Sequence, residues 1–447
     1  MEEIRLSDHF TYSRLLRFTL PSIAMMIFTS IYGVVDGFFV SNFAGKTAFA
    51  AVNLLFPLLM ILATVGFMFG TGGTALVAKA FGEKDAKRAN RYFSLFVYFS
   101  FAIATVLAMI GFILMRPIST LLGAGSEGEL LESCIIYGRI VIAALPFFTL
   151  QLLFQSFFVT AEKPKLGLAV TVSSGLTNMI LDAVLVLLLP EEYKLVGAAI
   201  ATAASQAVGG VIPLFYFFRK NDSILRLGKT HFDGKALIKA SVNGSSEFMS
   251  NVSMNLVGML YNLQLMAYAG EDGISAYGVM MYVSMIFSAA FIGYSIGTAP
   301  LVGYHNGAKH HDELHSLLNK SLKLTGVCGI CMLIVSEWLA LPLSKIFVSY
   351  DPALLDLTVS GFRIFAISFP LMSFAILGSG FFTALGDGVT SAIISFLRTL
   401  VFQIAAVLLL PLIFDINGIW MSIIVAEFMA VALSVLFLIV KQKKYHY

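Results

Sequence analysis

Charge is what this sequence has least of. Asp, Glu, Lys and Arg make up only 12% of its 447 residues, against 58% hydrophobic, where an ordinary soluble domain carries about a quarter charged residues. A soluble catalytic domain is excluded, because apolar runs long enough to cross a bilayer core of about 30 Å recur along the chain with no polar domain between them. The net charge of +3 is too small and too dispersed for a nucleic-acid surface. Cysteine is equally scarce: there are three, and Cys328 and Cys331 inside one apolar run make neither a disulfide framework nor a four-ligand zinc site. They are expected to pack as small hydrophobes. The opening "MEEIRLSDHFTYSRLLRF" lacks the basic start of a cleavable signal peptide, so the first helix is expected to stay. There is no HExxH and no Gly-x-Ser-x-Gly, and "GTGGTALVAKAFG" lacks the Gly-Lys-Ser/Thr ending of a phosphate-binding loop. An intramembrane enzyme and an ATP-driven pump therefore have no support, and no cofactor is expected.

What is present is a series of twelve apolar spans, near 15–40, 50–78, 92–115, 135–160, 166–189, 195–218, 240–268, 275–303, 322–344, 358–384, 389–412 and 418–440. The loops "KAFGEKDAKRANR" and "RKNDSILRLGKTHFDGKALIK" and the tail "KQKKYHY" are rich in Lys and Arg, whereas "GAGSEGELLE", "EEYK", "GEDG" and "FDIN" are acidic or nearly neutral. This bias places both termini in the cytoplasm of a multi-pass protein of the cell (inner) membrane. The 8–9 loop holds His305, His310, His311 and His315, read as a solvated turn rather than a metal or pH feature.

The halves repeat one another. Sliding residues 44–82 onto 269–307 superposes Gly45 on Gly270, Gly72 on Gly297 and Gly82 on Gly307, and "YGRIVIAALPF" matches "GFRIFAISFPL", with Arg139 on Arg363 and Pro146 on Pro370. Six spans per repeat make the repeats parallel, related by an axis along the membrane normal. The expected fold is all-α and integral to the membrane, with twelve transmembrane helices in two pseudosymmetric six-helix bundles. These are an N-terminal lobe at 1–218, a cytoplasmic linker at 219–239 long enough to let the lobes rock, and a C-terminal lobe at 240–447.

Where a polar residue in one half lacks a polar mate in the other, function is expected. Asp36 in "IYGVVDGFFV" maps onto Tyr261, and aligning Pro190 with Pro411 sets Thr399 and Gln403 opposite Asn178 and Asp182. An aspartate at mid-membrane costs roughly 2.5–3.5 kcal/mol even on insertion scales, and such residues face bundle interiors or cavities and mark ion or substrate paths. Asn178 and Asp182 are four apart and share a helical face. Two acids close together cannot both stay ionised in a low-dielectric site without a proton or small cation. Thr202 is the hydroxyl that would complete an oxygen cage with Asp36, Asn178 and Asp182, a set able to ligate Na⁺, and Tyr32 is placed to donate to Asp36. A purely structural role, as interhelical hydrogen-bond partners, is the competing reading. Glu247 and Gln206 are secondary, substrate-side candidates, and Arg398 and Glu427 are expected to pair. Forty Phe and nineteen Met suit an adaptable interior for greasy cations, although most must face lipid or core.

These residues resemble the multidrug and toxic compound extrusion (MATE) family, bacterial type, over essentially the whole chain. The resemblance rests on "LPSIAMMIFTSIYGVVDGFFVSNFAGKTAFAAVNLLFP", "GTGGTALVAKAFGEKDAKRA", "NMILDAVLV" and the six-plus-six arrangement. It implies the fold of that exporter and flippase superfamily and a cation site at Asp36, Asn178, Asp182, Thr202 and Tyr32. One branch instead uses carboxylates in spans 7 and 10. Glu247 answers to the first, but "FRIFAISFPLMSFAILGSGFF" has no acid, which favours coupling in the first lobe. The function expected is secondary active export of organic cations or amphipathic drugs in exchange for H⁺ or Na⁺ by alternating access, by a monomer whose partners are the drug and the lipid bilayer. The alternative is a flippase of a lipid-linked precursor. A flippase should line its cavity with several basic groups for a pyrophosphate, whereas Arg398 is the one basic residue well inside a span.

Overall fold

The computed structural model describes residues 4–349 and 351–447, and every regular element among them is helical. Helix α1 is Tyr12–Phe39, α2 Lys46–Gly82, α3 Ala86–Ile113, α5 Pro164–Leu188, α6 Lys194–Phe218 and α9 His311–Val348. Helix α4 is Glu129–Ala143 continued by Leu145–Thr160 across a 52° bend, at the "ALPF" proline. Helix α10 is Pro352–Ala366 continued by Ser368–Leu385. Helix α11 runs Gly388–Phe396, then a π-helical turn Leu397–Phe402, then Gln403–Leu409, and α12 lies within Pro411–Tyr445, broken at Asp415.

The remaining helix, Gly234–Ala308, has 75 residues and would be about 110 Å long if straight. It is instead broken at Gly270 (φ 61°, ψ −149°), a backbone region open essentially to glycine alone. The break yields α7 (234–269) and α8 (271–308), which brings the apolar spans among the described residues to twelve. Gly45, the repeat mate of Gly270, also turns the chain with positive φ between α1 and α2. Helix α7 starts at Gly234, ahead of the apolar run, because the Asp233 carboxylate caps it by accepting from the Ala236 N–H at 3.0 Å. Asp85 and Asp387 cap α3 and α11 in the same way.

Both ends of the chain lie on one face. The ring of Phe10 contacts that of His305, and the ring of His446 contacts that of His311. Here the two lobes meet backbone to backbone. A Cβ on Gly82 would stand 2.1 Å from Tyr304 O, one on Gly307 2.3 Å from Lys79 O, and one on Gly72 2.1 Å from Ala240 O. The matched glycines of the repeat are thus the seam between lobes. Asn243 reinforces it, its Nδ2 donating to Gly72 O and Thr383 O. Toward the opposite face Gly33, Gly37, Gly258 and Gly278 have nothing within 4 Å of a would-be Cβ. The close backbone contacts between the lobes at Gly72, Gly82 and Gly307 thus lie toward the terminal face.

The segment before α1 spans the seam. The Leu6 N–H donates to Glu162 Oε1 in the first lobe, while the Phe10 N–H donates to Glu313 Oε1 in the second. The linker is not a loose tether along its length: Leu225 and Leu227 are buried, and Arg226 N–H, Gly228 N–H and Thr230 Oγ1 donate to Asn90, Ser94 and Arg91 of α3. Two expectations change. Cys134 is buried, but Cys328 and Cys331 are exposed on the outer side of α9, where lipid is an equally apolar neighbour. His305 is buried rather than solvated, because its ring packs against Phe10; among the described residues no three His, Cys, Asp or Glu gather as metal ligands.

Candidate functional site

Helix α1 carries Asp36 one turn before the π-helical turn Val40–Ala44, a distortion that often accompanies functional sites. Helix α5 packs against it at Gly175, where a Cβ would come within 2.5 Å of the Phe28 ring. This close approach brings Asn178 and Asp182 to Asp36. Asn178 Nδ2 donates to Asp36 Oδ1 at 3.3 Å, and the two carboxyls lie within hydrogen-bonding reach of each other. Ionised carboxylates bring no donor. Both Asp182 oxygens and Asn178 Oδ1 are buried without a hydrogen-bond partner among the described residues, each a cost of about 1–3 kcal/mol unless satisfied. The donor set is all oxygen, which fits either a shared proton or a small hard cation.

The other first-lobe candidates fall around this pair. Thr202 Oγ1 donates to Ala198 O of its own helix at 3.0 Å, leaving its lone pairs free for a ligand. Gln206, one turn further along α6, is buried with Oε1 unpartnered. Tyr32 makes no hydrogen bond to Asp36 among the described residues, contrary to expectation; its hydroxyl lies by the Gln151 side chain of α4, and its ring is seated against Gly175 of α5, where a Cβ would come within 3.0 Å of it. Sequence reasoning missed Tyr137 on α4, which lies close to Asp36 and Asp182 and reaches Thr202, and also Gln151. The asymmetry criterion would have found both, since their repeat mates are Gly361 and Ala375.

The second half answers the aspartate pair with a neutral one: Tyr261 OH donates to Gln403 Oε1 at 2.9 Å. These two residues line a cavity of about 190 Å³ inside the second lobe, together with Glu247, Arg398, Glu427 and Thr71 of α2. Of the residues singled out from sequence, Glu247, Arg398 and Glu427 belong to it, and Gln206 does not. Arg398 and Glu427 pair as expected, the Nε–H reaching both carboxylate oxygens at 2.9 and 2.8 Å. The two polar centres are therefore separate, one in each lobe.

The MatE family profile matches residues 21–184 and 248–409, once in each lobe. The multidrug export protein MepA of Staphylococcus haemolyticus is 26% identical over 420 residues, covering 93% of this chain and 90% of that protein. MepA of Staphylococcus aureus is 22% identical over 419 residues, covering 93% and 91%. Among solved structures, a MATE protein in complex with MaL6 superposes with a TM-score of 0.92 at 19% identity, covering 100% of this chain and 99% of that one. The outward-facing form of a multidrug resistance MATE transporter of the MOP superfamily gives 0.90 at 21% identity, with the same coverage. By the double profile match, with the fold in agreement, this chain belongs to the MatE family of multidrug efflux transporters.

Proposed function

We propose that the chain is a secondary active exporter that exchanges organic cations and amphipathic drugs for H⁺ or Na⁺, with the coupling ion taken at Asp36, Asn178 and Asp182. The observation that carries this reading is the pair of facing carboxyls in an apolar lobe, of which neither buried Asp182 oxygen has a donor among the described residues. Thr202 and Tyr137 supply further oxygens at its edge. The positive-inside bias assigns the terminal face to the cytoplasm, and the opposite face of the molecule is then extracellular. From there the ion enters the first lobe, displaces the drug and favours closure of the outer side. The lobes 1–218 and 240–447 then exchange access across the linker 219–239, the ion leaves to the cytoplasm, and drug rebinds at surfaces that include Gln206 and Glu247. Exchange requires each ligand to bind the two states unequally. One charge falling through 100 mV supplies about 2.3 kcal/mol, and a tenfold gradient costs about 1.4 kcal/mol, so one net charge per cycle sustains a drug gradient somewhat over tenfold.

The site moves ions and drug without bond chemistry, the protein works as a monomer in the cell membrane, and the names of its relatives support multidrug export. The flippase alternative is not favoured: the basic group in the second-lobe cavity, Arg398, is already held by Glu427. The test is dye transport in everted vesicles under an imposed H⁺ or Na⁺ gradient. Asp36→Asn and Asp182→Asn are each expected to lower gradient-driven transport at least tenfold, and full transport with unchanged ion dependence in both variants would refute the assignment.

A further inference from the structure

The second-lobe cavity holds three ionisable groups that the coupling reaction above does not use. Glu427 on α12 is 2% exposed and is taken up entirely by Arg398, whose single Nε–H straddles both its oxygens. Among the described residues the Nη groups of Arg398 make no hydrogen bond, and Arg398 and Glu247 line the same cavity. The Glu247 carboxyl lines the cavity and makes no hydrogen bond either; its residue engages α7 only through its backbone carbonyl, which accepts from Asn251 Nδ2. Arg398 owes its position to the π-helical turn Leu397–Phe402, present in α11 but not in its repeat mate α5. From this turn the side chain reaches Glu427 of α12. Around these charges stand the stacked rings of Tyr261 and Tyr277, 5.0 Å apart and 4° from parallel, and the thioethers of Met254, Met281 and Met372. Flat cations bind such aromatic faces, and methionine adapts to their shape.

We infer that Arg398 sets the charge of the substrate accepted by this cavity: it cancels Glu427, leaves Glu247 as the one uncompensated carboxylate, and so selects flat monovalent cations over divalent ones. The inference rests on the exporter reading above and adds a substrate class and a selectivity residue to it. Arg398 acts through the charge count rather than as the group that holds the cation, which is Glu247.

Ethidium and propidium share one phenanthridinium ring and differ by an added quaternary ammonium charge, so they report charge at nearly constant shape. Binding to the purified full-length protein in detergent, followed by fluorescence polarisation, should show ethidium at least about tenfold tighter than propidium. Glu247→Gln should weaken ethidium about tenfold. Glu427→Gln should do likewise, because the released Arg398 then neutralises Glu247, and adding Arg398→Gln to it should restore ethidium to within about threefold of wild type. Arg398→Gln alone should shift the propidium-to-ethidium ratio about tenfold toward propidium. If that variant fails to fold, its buried Glu427 being left unpaired, the rescue by the double variant decides. An unchanged dye ratio in Arg398→Gln, indifference of ethidium to Glu247→Gln, or a folded double variant that stays as weak as Glu427→Gln overturns the inference. These bindings are read without any gradient. Wild-type vesicles that export neither dye under a gradient would instead sink the exporter reading while leaving the binding ratios as measured.

Discussion

Asp36 and Asp182 stand on helices far apart in sequence, and each is expensive in an apolar lobe on its own. Together they create a demand that no described side chain fully meets, since Asn178 donates to Asp36 while both Asp182 oxygens have no partner among the described residues. That demand is the physical reason to expect a coupling ion here. Tyr137 belongs to the same group of side chains, lying near both acids and Thr202. Removing its hydroxyl in Tyr137→Phe should leave the fold intact and change the half-saturating ion concentration for efflux by a few fold, a smaller effect than either aspartate substitution; an effect equal to theirs would make the tyrosine a principal ligand. The acids were legible in the sequence because charge stands out in an apolar run. Tyr137 does not stand out that way, because a tyrosine there reads equally as packing, and only comparison with its repeat mate Gly361 marks it.

Two breaks between helices set the second lobe's geometry. Gly270 turns α7 into α8 with φ 61° and ψ −149°, so Gly270→Ala should destabilise the protein by about 1–3 kcal/mol, read as a lower thermal midpoint in detergent; an unchanged midpoint would mean that the break relaxes. Asp387 begins α11 and also gathers the end of α12, since Lys441 Nζ and Tyr445 OH donate to Oδ2. Burial alone would raise its pKa, but hydrogen bonds from the Tyr445, Lys441 and Thr390 side chains outweigh it and hold the carboxyl below the usual carboxylate range. A depressed pKa means stability that is fully present above the unfolded-state value and is lost as pH falls through the lower folded value. Asp387→Ala should therefore lower stability by about 1 kcal/mol at neutral pH. The gap to wild type should close only below the ordinary carboxylate range, which thermal unfolding across pH would measure. The aspartate caps were readable as residue types before helices, but the tie to the chain's last turn is a contact between segments that no local pattern announces.

For the whole molecule, alternating access requires the terminal-face seam to open in the other half of the cycle. A Cβ at Gly303 would lie 3.0 Å from Ala78 Cβ across that seam, slightly nearer than the roughly 3.8 Å typical of a disulfide. An Ala78→Cys, Gly303→Cys pair in a background without the three native cysteines should oxidise, stop efflux, and regain it on reduction. Undiminished efflux by fully cross-linked protein would show that the seam need not part. The linker bears on the same motion, because its middle is pinned to α3 and only the stretch next to Asp233 is left to follow the second lobe.

Composition and periodic apolar runs by themselves determined that this chain is an all-helical membrane protein of twelve spans in two repeats, because a bilayer demands about 20 apolar residues per crossing and tolerates few charges. The matched glycines and the unmatched aspartates were likewise visible in one dimension. What only the tertiary structure decided is which polar atoms meet. Gly72, Gly82 and Gly307 are seam residues because backbones of opposite lobes touch there, Tyr32 lies beside Gln151 instead of donating to Asp36, and Arg398 spends its charge on Glu427. Each of these is set by the rotation and spacing of helices distant in sequence, to which hydrophobic periodicity, a property of one helix at a time, is blind.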